Sequence, residues 1–189
     1  MKLFIDTETT GKADFYRPSS APHQPRIVQL AALLNDDSGV DVDSFSVIIK
    51  PNGFAIPTEA SNIHGITTEM AIANGIPIGK AMEMLRGFAE KADCYIAHNE
   101  VFDRLMVDIE AVRLGWSVKH PLMDKAKWFC TMKATTPICQ LPGLYGDYKW
   151  PKLKEAFEFA FGQPFVGAHD ALADVRACKR IYFWLQARK

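Results

Sequence analysis

The sequence predicts an α/β fold in which helices cover one mixed β-sheet. Turn-forming residues separate three short apolar runs within the first 50 residues, which indicates three strands in succession. From residue 81 onward most apolar residues recur at helical spacing, and two more short apolar runs lie between the helical stretches. Consecutive strands joined by short turns pair antiparallel, whereas strands that alternate with helices are typical of parallel pairing. The sheet is therefore expected to contain five strands of both kinds.

The first three strands are expected to form an antiparallel meander. Leu3-Phe4-Ile5 begins a short buried strand, and the next two strands cover Ile27–Leu34 and Val42–Ile49. The residues between these two, Asn35 to Gly39, favour tight turns, so an antiparallel hairpin is expected there. A loop rich in proline and serine joins the first strand to the second.

Four helices and two more strands are predicted in the rest of the chain. The apolar stripes of the helices lie at Ala81–Ala89, Val101–Val112, Leu153–Phe161 and Leu172–Leu185. Strands are expected at Cys94–Ala97 and around Leu122-Met123, and Gly115 and Gly162 are placed to end two of the helices. The segment Ala126–Trp150 has few periodic signals, so no element is predicted there.

Composition predicts a single globular domain over residues 1–189. The chain is 48% hydrophobic and 23% charged, which excludes a disordered or coiled-coil protein and allows a substantial core. Lysine and arginine number 22, as do aspartate and glutamate, so no overall basic field indicates a nucleic-acid partner. A site made of carboxylates that binds metal ions could still act on phosphates in such a neutral protein.

The four cysteines are widely spaced and contain no C-x-x-C pair. This argues against a disulfide framework and against a cysteine zinc site. The first apolar run is too short for a secretory signal, and no run is long enough to cross a membrane. We therefore expect a soluble, cytoplasmic protein without a membrane partner.

A pair of carboxylates stands where the first strand ends. Side chains two residues apart on a strand point the same way, so Asp6 and Glu8 project together. A solvated strand end would explain an isolated D-x-E pattern equally well.

Two more acidic stretches lie at predicted helix starts. In HNEVFD, Asn99 is placed to cap a helix and Asp103 lies in its first turn, where a negative charge interacts favourably with the helix dipole. In HDALAD, Asp170 is placed as the cap of the last helix, Asp174 lies one turn further, and His169 lies on the preceding loop. Helix capping and an exposed loop histidine are the alternative explanations.

Together these stretches resemble the DEDDh family of 3′–5′ exonucleases, the DnaQ-like group of the ribonuclease H-like superfamily. The matching motifs are DTETTG (Asp6–Gly11), HNEVFD (His98–Asp103) and HDALAD (His169–Asp174), in that order across nearly the whole chain. Asn62–Thr67, NIHGIT, also resembles the short substrate-side segment of the family. The resemblance implies a ribonuclease H-like sheet of five strands, an antiparallel meander plus parallel strands, flanked by helices.

The resemblance also implies a set of catalytic residues. Asp6, Glu8, Asp103 and Asp174 would hold two divalent ions, Mg²⁺ or Mn²⁺, with Asp6 bridging both. These ions prefer oxygen ligands, and a pair of them suits phosphodiester hydrolysis because the reaction needs an activated water and neutralised phosphate oxygens. His169 would act as the general base, a role that suits an imidazole because it titrates near neutral pH.

By the same resemblance, Thr9, His64 and Phe102 would hold the terminal nucleotide. Phe102 begins an apolar stripe, so packing in the core is as good an explanation as stacking on a base. For His64 the alternative is a simple turn at the entry of a helix.

The implied activity is removal of nucleoside 5′-monophosphates from nucleic-acid 3′ ends, in DNA repair or proofreading. Single-stranded DNA is the substrate that we expect, and RNA is the alternative because no motif reveals a contact to a 2′-hydroxyl. Other classes are a non-catalytic module that binds nucleic acid or a polymerase, and an endonuclease or integrase with a similar acidic sheet. A protein that works alone, a homodimer and a polymerase subunit all stay open.

Two stretches depart from a generic family member: the proline-rich loop after Gly11 and the segment from Trp128 to Pro151. Residues 119–154 carry aromatic side chains and seven lysines: Lys119, Lys125, Lys127, Lys133, Lys149, Lys152 and Lys154. This composition is typical of a surface that follows a single strand. A solvated lysine-bearing loop over the core is the alternative.

Overall fold

Five strands form one mixed sheet in the computed structural model of the chain, which describes residues 1–116 and 121–188. The strands are β1 (Lys2–Thr9), β2 (Ile27–Asn35), β3 (Asp41–Ile48), β4 (Cys94–Ala97) and β5 (Trp128–Cys130). Their order across the sheet is β3-β2-β1-β4-β5. β1, β2 and β3 pair antiparallel, whereas β4 pairs parallel with β1 and β5 parallel with β4. The predicted fold class is confirmed.

Helices pack on both faces of this sheet. They are α1 (Thr58–His64), α2 (Thr68–Asn74), α3 (Ile78–Ala89), α4 (Glu100–Arg113), α5 (Thr131–Cys139), α6 (Leu153–Phe161) and α7 (Ala171–Gln186). Alternate residues of a strand face opposite sides, and β1 shows this directly. Leu3 and Ile5 belong to the core cluster that includes α3 and α4, whereas Phe4 packs in a second cluster with Val175 of α7.

The position predicted for the fifth strand is wrong. Pro121–Met123 forms a short 3₁₀ turn, and the strand lies later, at Trp128–Cys130, inside the segment for which no element was predicted. Leu122 is fully buried where this turn contacts α3 and α4, and this burial explains an apolar residue at the position. A strand of three residues is too short to show a period of two, so the pattern could not reveal it.

Three helices were not predicted. α1 and α2 have only seven residues each, which is too short for a recognisable apolar stripe. α5 contains Thr135, Thr136 and Pro137, which are poor helix formers. The two threonine hydroxyls donate to carbonyl oxygens of the preceding turn, and Met132 and Thr135 are buried, so tertiary packing holds this helix in place.

The helix ends agree with the predicted signals at several positions. Gly162, at φ +64°, follows the last residue of α6, and Gly115, at φ +69°, lies just beyond α4. The Asp170 carboxylate accepts a hydrogen bond from the backbone N–H of Ala173, as expected of a cap. Asn99 occupies the capping position of α4 but makes no capping bond with its side chain to the described helix. Its φ of +77° turns the chain sharply from β4 into α4, a conformation that asparagine tolerates.

Among residues 1–116 and 121–188, none of the helices combines the length and the apolar character needed to cross a bilayer.

Candidate active site

The end of β1 presents Asp6 and Glu8 on the α7 side of the sheet. Both point to the same face of the strand as Phe4, which packs in the cluster that includes α7. Thr7, between them, faces the other side. In the neighbouring strand Gln29 lies opposite Glu8. The two carboxylates therefore project together, as the D-x-E spacing predicted.

Asp174 and His169 reach the same place from α7 and the loop before it. Asp174 lies in the first turn of α7 and is 8% exposed, whereas His169 is exposed and has a positive φ of 70°. The backbone N–H of His169 donates to Asp174 Oδ2 at 3.2 Å. One ligand atom from each of Glu8, His169 and Asp174 lies within 4.8 Å of the other two.

Asp103 comes from α4, on the opposite face of the sheet, and is 3% exposed. The Thr7 hydroxyl donates to Asp103 Oδ1 at 2.9 Å, so the residue between Asp6 and Glu8 positions another predicted metal ligand. Thr7 was not among the predicted site residues. Its position between two carboxylates on a buried strand was the signal, because the side chain must then face α4.

Burial raises the pKa values of all four carboxyl groups, and repulsion from neighbouring carboxylates raises them further. Burial is the largest cause in each, and it raises the pKa of Glu8 to about 8, of Asp103 to about 7 and of Asp174 to about 6. The pKa of Asp6 lies well above its ordinary value, first because of burial and then because of the Asp103 and Asp174 charges. Hydrogen bonds from Thr7 oppose the rise in the pKa of Asp103.

Within residues 1–116 and 121–188, the carboxylates have no balancing positive side chain in ion-pair contact. Among the described residues, no lysine or arginine forms an ion pair with any of the four. Asp174 Oδ1 is buried and has no hydrogen-bond partner in the described part of the chain. An orphaned buried oxygen beside other carboxylates fits a hard divalent cation, which would both coordinate the oxygen and offset the repulsion.

A cavity of about 340 Å³ opens beside Glu8, between the end of β1 and the helices α1 and α4. All three residues predicted to hold a nucleotide line it: Thr9, His64 and Phe102. Ile63 adds an apolar wall. Cavities of this size accommodate small ligands, so the site pairs a group of carboxylates with a pocket next to it.

His64 and Phe102 have structural roles as well. His64 is the last residue of α1, and Gly65 follows it at φ +76° in the turn that leads into α2. Its Nδ1 accepts from the Ile66 N–H at 3.1 Å, and burial lowers the pKa of the ring, which favours the neutral form. Phe102 is half-buried, packs against the core and also lines the cavity.

Gln29, in the neighbouring strand β2, supports the site. It was not predicted from the sequence. Its Oε1 accepts from the Ala171 N–H at 3.2 Å, and its Nε2 donates to Asp170 Oδ2 at 3.3 Å. The amide therefore joins β2 to the start of α7, next to Glu8. A single buried glutamine in an apolar strand was the only signal.

His98 ties the end of β4 to two other segments. Burial lowers its pKa to about 4, so the ring is neutral. Nε2 donates to the Pro151 carbonyl oxygen at 2.9 Å, and Nδ1 lies 3.0 Å from Thr131 Oγ1. The histidine of HNEVFD thus joins the end of β4 to the start of α5 and to the chain before α6.

The structure pairs several lysines of the 119–154 segment with glutamates. Lys133 contacts Glu100 at 2.9 Å, Lys149 contacts Glu155, and Lys154 contacts Glu158 at 3.8 Å. Lys119 lies outside the described residues. Three aromatic side chains of the segment are exposed: Tyr145, Tyr148 and Trp150. A role in following a single strand stays a prediction for this segment, whose charge is partly offset.

The sequence is similar to those of known exonucleases. The RNase_T family model, described as "Exonuclease", matches residues 3–182. The chain is 28% identical over 178 residues to "Uncharacterized exonuclease CP81" of Escherichia phage 186, which covers 93% of this chain and 82% of the phage protein. It is 27% identical over 180 residues to the PolC-type DNA polymerase III of Clostridium perfringens, covering 95% of this chain and 11% of the polymerase.

Among solved structures, E. coli Exonuclease I in complex with a dT13 oligonucleotide has the same fold. The TM-score is 0.78 at 21% sequence identity, and the match covers 99% of this chain. It covers only 41% of the Exonuclease I chain, so this chain spans about two fifths of that protein's length.

Proposed function

The chain belongs to the RNase_T exonuclease family, within the DnaQ-like group of the ribonuclease H-like superfamily, and we propose that it is a metal-dependent 3′–5′ exonuclease. One observation carries the proposal. Glu8, His169 and Asp174 offer ligand atoms within 4.8 Å of one another, and Glu8 also lines the cavity that contains Thr9, His64 and Phe102. We further propose that residues 1–189 form one exonuclease domain.

The four carboxylates, Asp6, Glu8, Asp103 and Asp174, are the proposed ligands that would hold two divalent ions, Mg²⁺ or Mn²⁺. The raised pKa values of these groups and the orphaned Asp174 oxygen support a bound cation. Bound ions would neutralise the phosphate oxygens and make the attacking water more acidic.

His169 is the proposed general base. A ring nitrogen of His169 would accept a proton from the attacking water, and the resulting imidazolium, exposed on its loop, would return a proton to solvent. The bond from the His169 N–H to Asp174 Oδ2 keeps this loop against the carboxylates.

The cavity is the proposed site for the 3′-terminal nucleotide. Its walls combine an aromatic ring at Phe102, an aliphatic side chain at Ile63 and polar groups at Thr9 and His64. The base of the nucleotide would stack on the Phe102 ring, and its sugar hydroxyl would form hydrogen bonds with the polar groups of Thr9 and His64. A pocket that takes one nucleotide selects a chain end, which supports exonucleolytic rather than internal cleavage.

Single-stranded DNA is the substrate class that we propose. Its support is the Exonuclease I structure, whose oligonucleotide is dT13. RNA is the alternative substrate. A polymerase is a proposed protein partner, supported by the match to the PolC-type polymerase, and a homodimer is the alternative. A non-catalytic binding module is less well supported, because carboxylates and a histidine fill all five expected catalytic positions.

The test is degradation of 5′-labelled single-stranded DNA and RNA oligonucleotides in Mg²⁺. We expect a ladder of labelled products that shorten from the 3′ end, no cleavage of circular single strands, and no products in EDTA. Labelled mononucleotide as the first product would show the opposite polarity, and undiminished cleavage in EDTA would refute the metal-dependent mechanism.

A further inference from the structure

A second groove, of about 350 Å³, lies on the outer side of the loop that carries His169. Residues of this loop, α6 and α7 line it, among them Phe157, Phe165, Val166, Ala173, Arg176 and Arg180. The proposed function does not use this groove.

The groove lies next to the carboxylate site at the start of α7. Ala173 lines it, and the next residue is Asp174 of the proposed metal site. The same loop that forms one wall of the groove continues through Gly167 to His169. Gly167 has a φ of +91°, and a Cβ there would meet the Ala173 Cβ at 3.2 Å, so the loop lies directly against α7. A nucleic-acid strand that extends from the site past His169 therefore reaches the groove.

Two exposed arginines give the groove a positive charge. Ala173, Arg176, Ala177 and Arg180 follow helical spacing and share one face of α7. In the described part of the chain no carboxylate lies within ion-pair distance of either guanidinium. Nearby acids already have partners, since Glu158 of α6 pairs with Lys154, and Asp41 pairs with Lys179.

Aromatic rings hold one of these arginines in place. The Arg180 guanidinium carbon lies 4.6 Å from the ring centroid of Phe157 and 4.3 Å from that of Phe161. Phe165 extends this surface, with its ring 5.3 Å from that of Phe157. A guanidinium already ordered by stacking loses little entropy when it binds a phosphate, and its fork of donors suits phosphate oxygens.

We propose that this groove binds the sugar–phosphate backbone of the substrate on the 5′ side of the scissile bond, with Arg176 and Arg180 on successive phosphates. The inference rests on the proposed function. The cavity for the terminal nucleotide lies between β1, α1 and α4, and the groove lies beyond Asp174 between α6 and α7, so the carboxylates stand between the two. A nucleic-acid strand whose 3′ end occupies the cavity therefore passes the carboxylates and continues toward the groove.

The test compares oligonucleotides that can and cannot reach the groove. Initial rates on dT2 and dT12, and on rU2 and rU12, are measured in Mg²⁺ over a range of salt concentrations. In the Arg176→Ala/Arg180→Ala variant the preference for the 12-mer over the dimer, as a ratio of kcat/KM values, should fall about tenfold or more. The salt slope of KM for the 12-mer should decrease by about 1.4, which is the loss of two single-strand phosphate contacts.

Arg188→Ala is the matched control. Arg188 also stacks on an aromatic ring of α7, Trp184 at 4.6 Å, but lies at the far end of the helix. We expect this variant to keep the length preference and the salt slope. An Arg176→Lys/Arg180→Lys variant should keep most of the salt slope, because the positive charges remain.

Three results would overturn the groove proposal: an unchanged length preference in the double alanine variant, an equal loss in Arg188→Ala, or an equal loss on dimers and 12-mers. If the unmodified protein degrades dimers and 12-mers with the same kcat/KM, only the groove proposal fails. If it degrades none of the four oligonucleotides, the proposed function fails, and this inference fails with it.

Discussion

Single residues in the carboxylate site act through their partners as much as through their own chemistry. Thr7, on the face of β1 opposite Asp6 and Glu8, holds Asp103, while the His169 backbone holds Asp174. These two hydrogen bonds lower the pKa of the acceptor carboxyl groups and oppose the effect of burial. They therefore favour the charged forms that a cation would bind.

His169→Ala should lower kcat by on the order of 10²–10⁴-fold, the usual contribution of a general base, while the protein stays folded. Folding should persist because the His169 side chain is exposed and the hydrogen bond to Asp174 Oδ2 is donated by the His169 backbone N–H. Steady-state kinetics at neutral pH and a melting curve check this. His23→Ala, in another exposed loop, is the control, and near-normal turnover of His169→Ala would remove His169 from the mechanism.

Thr7→Val should raise the pKa of Asp103 further, because the hydroxyl that stabilises its charged form is lost. A cation then competes with a more tightly bound proton, so the Mg²⁺ concentration for half-maximal activity at pH 7 should rise several-fold and fall back toward the normal value at higher pH. Titration of activity with Mg²⁺ at pH 7 and pH 8.5 measures this. Thr7→Ser keeps a hydroxyl and should stay close to the unmodified protein; equal effects of both variants would contradict the role of the bond.

At the scale of elements, the site depends on where strands end and helices begin. β1 contributes Asp6 and Glu8, the first turns of α4 and α7 contribute Asp103 and Asp174, and the loop before α7 contributes His169. The start of α7 is held twice, by its own cap Asp170 and by Gln29 of β2. The position of Asp174 relative to Glu8 therefore depends on the junction between β2 and α7.

Asp170→Ala should lower the free energy of unfolding by about 1 kcal/mol, the usual cost of losing a helix cap. The variant loses the bond to the Ala173 N–H and leaves Gln29 Nε2 without Asp170. Urea unfolding in EDTA measures the change without a contribution from metal. Asp170→Asn keeps a capping oxygen and should lose clearly less; equal stability of Asp170→Ala and the unmodified protein would show that the cap contributes nothing.

At the scale of the whole molecule, the fold brings together negative charges that form no ion pair with a basic side chain in the described part of the chain. Strand order places β1 between β2 and β4, so the carboxylates of β1 lie near those from helices on both faces. The protein has no net charge, with 22 basic and 22 acidic residues, yet this one region is strongly acidic. Metal binding should therefore contribute to stability as well as to catalysis.

Without metal, stability should fall as pH rises from about 5 to about 8. The native-state pKa values of Glu8, Asp103 and Asp174, about 8, 7 and 6, are raised above ordinary carboxyl values, so over this range the native state binds more protons than the unfolded state. Stability then decreases with pH, because its slope follows the difference in bound protons, unfolded minus native. Melting temperatures in EDTA at each pH measure this effect.

Divalent metal should reverse that trend. Its stabilising effect should be small near pH 5, where protons occupy the carboxyl groups, and largest near pH 8, where the repulsion is unrelieved. The same melting curves in Mg²⁺ or Mn²⁺ provide the comparison. A metal effect that is equal at every pH, or an EDTA series without a pH trend, would contradict this account of the site.

Patterns within a few residues were enough to predict the meander, the parallel strand at Cys94–Ala97 and the helices α3, α4, α6 and α7, because period and turn chemistry are local properties. The same local patterns indicated the family, which the match over residues 3–182 confirms. The three-residue β5 and the short or threonine-rich helices α1, α2 and α5 could not be predicted, since burial against distant parts of the chain determines them.

The partners of the site were likewise decided only by tertiary structure. The bond from Thr7 to Asp103 joins residues 96 positions apart, and the bond from Gln29 to the start of α7 joins residues 142 apart. The sequence placed the acidic residues at strand ends and helix starts, because capping and alternation are local. Packing of the sheet between two helical layers decided which of them meet, which side chains position them, and where the cavity and the arginine groove lie on either side.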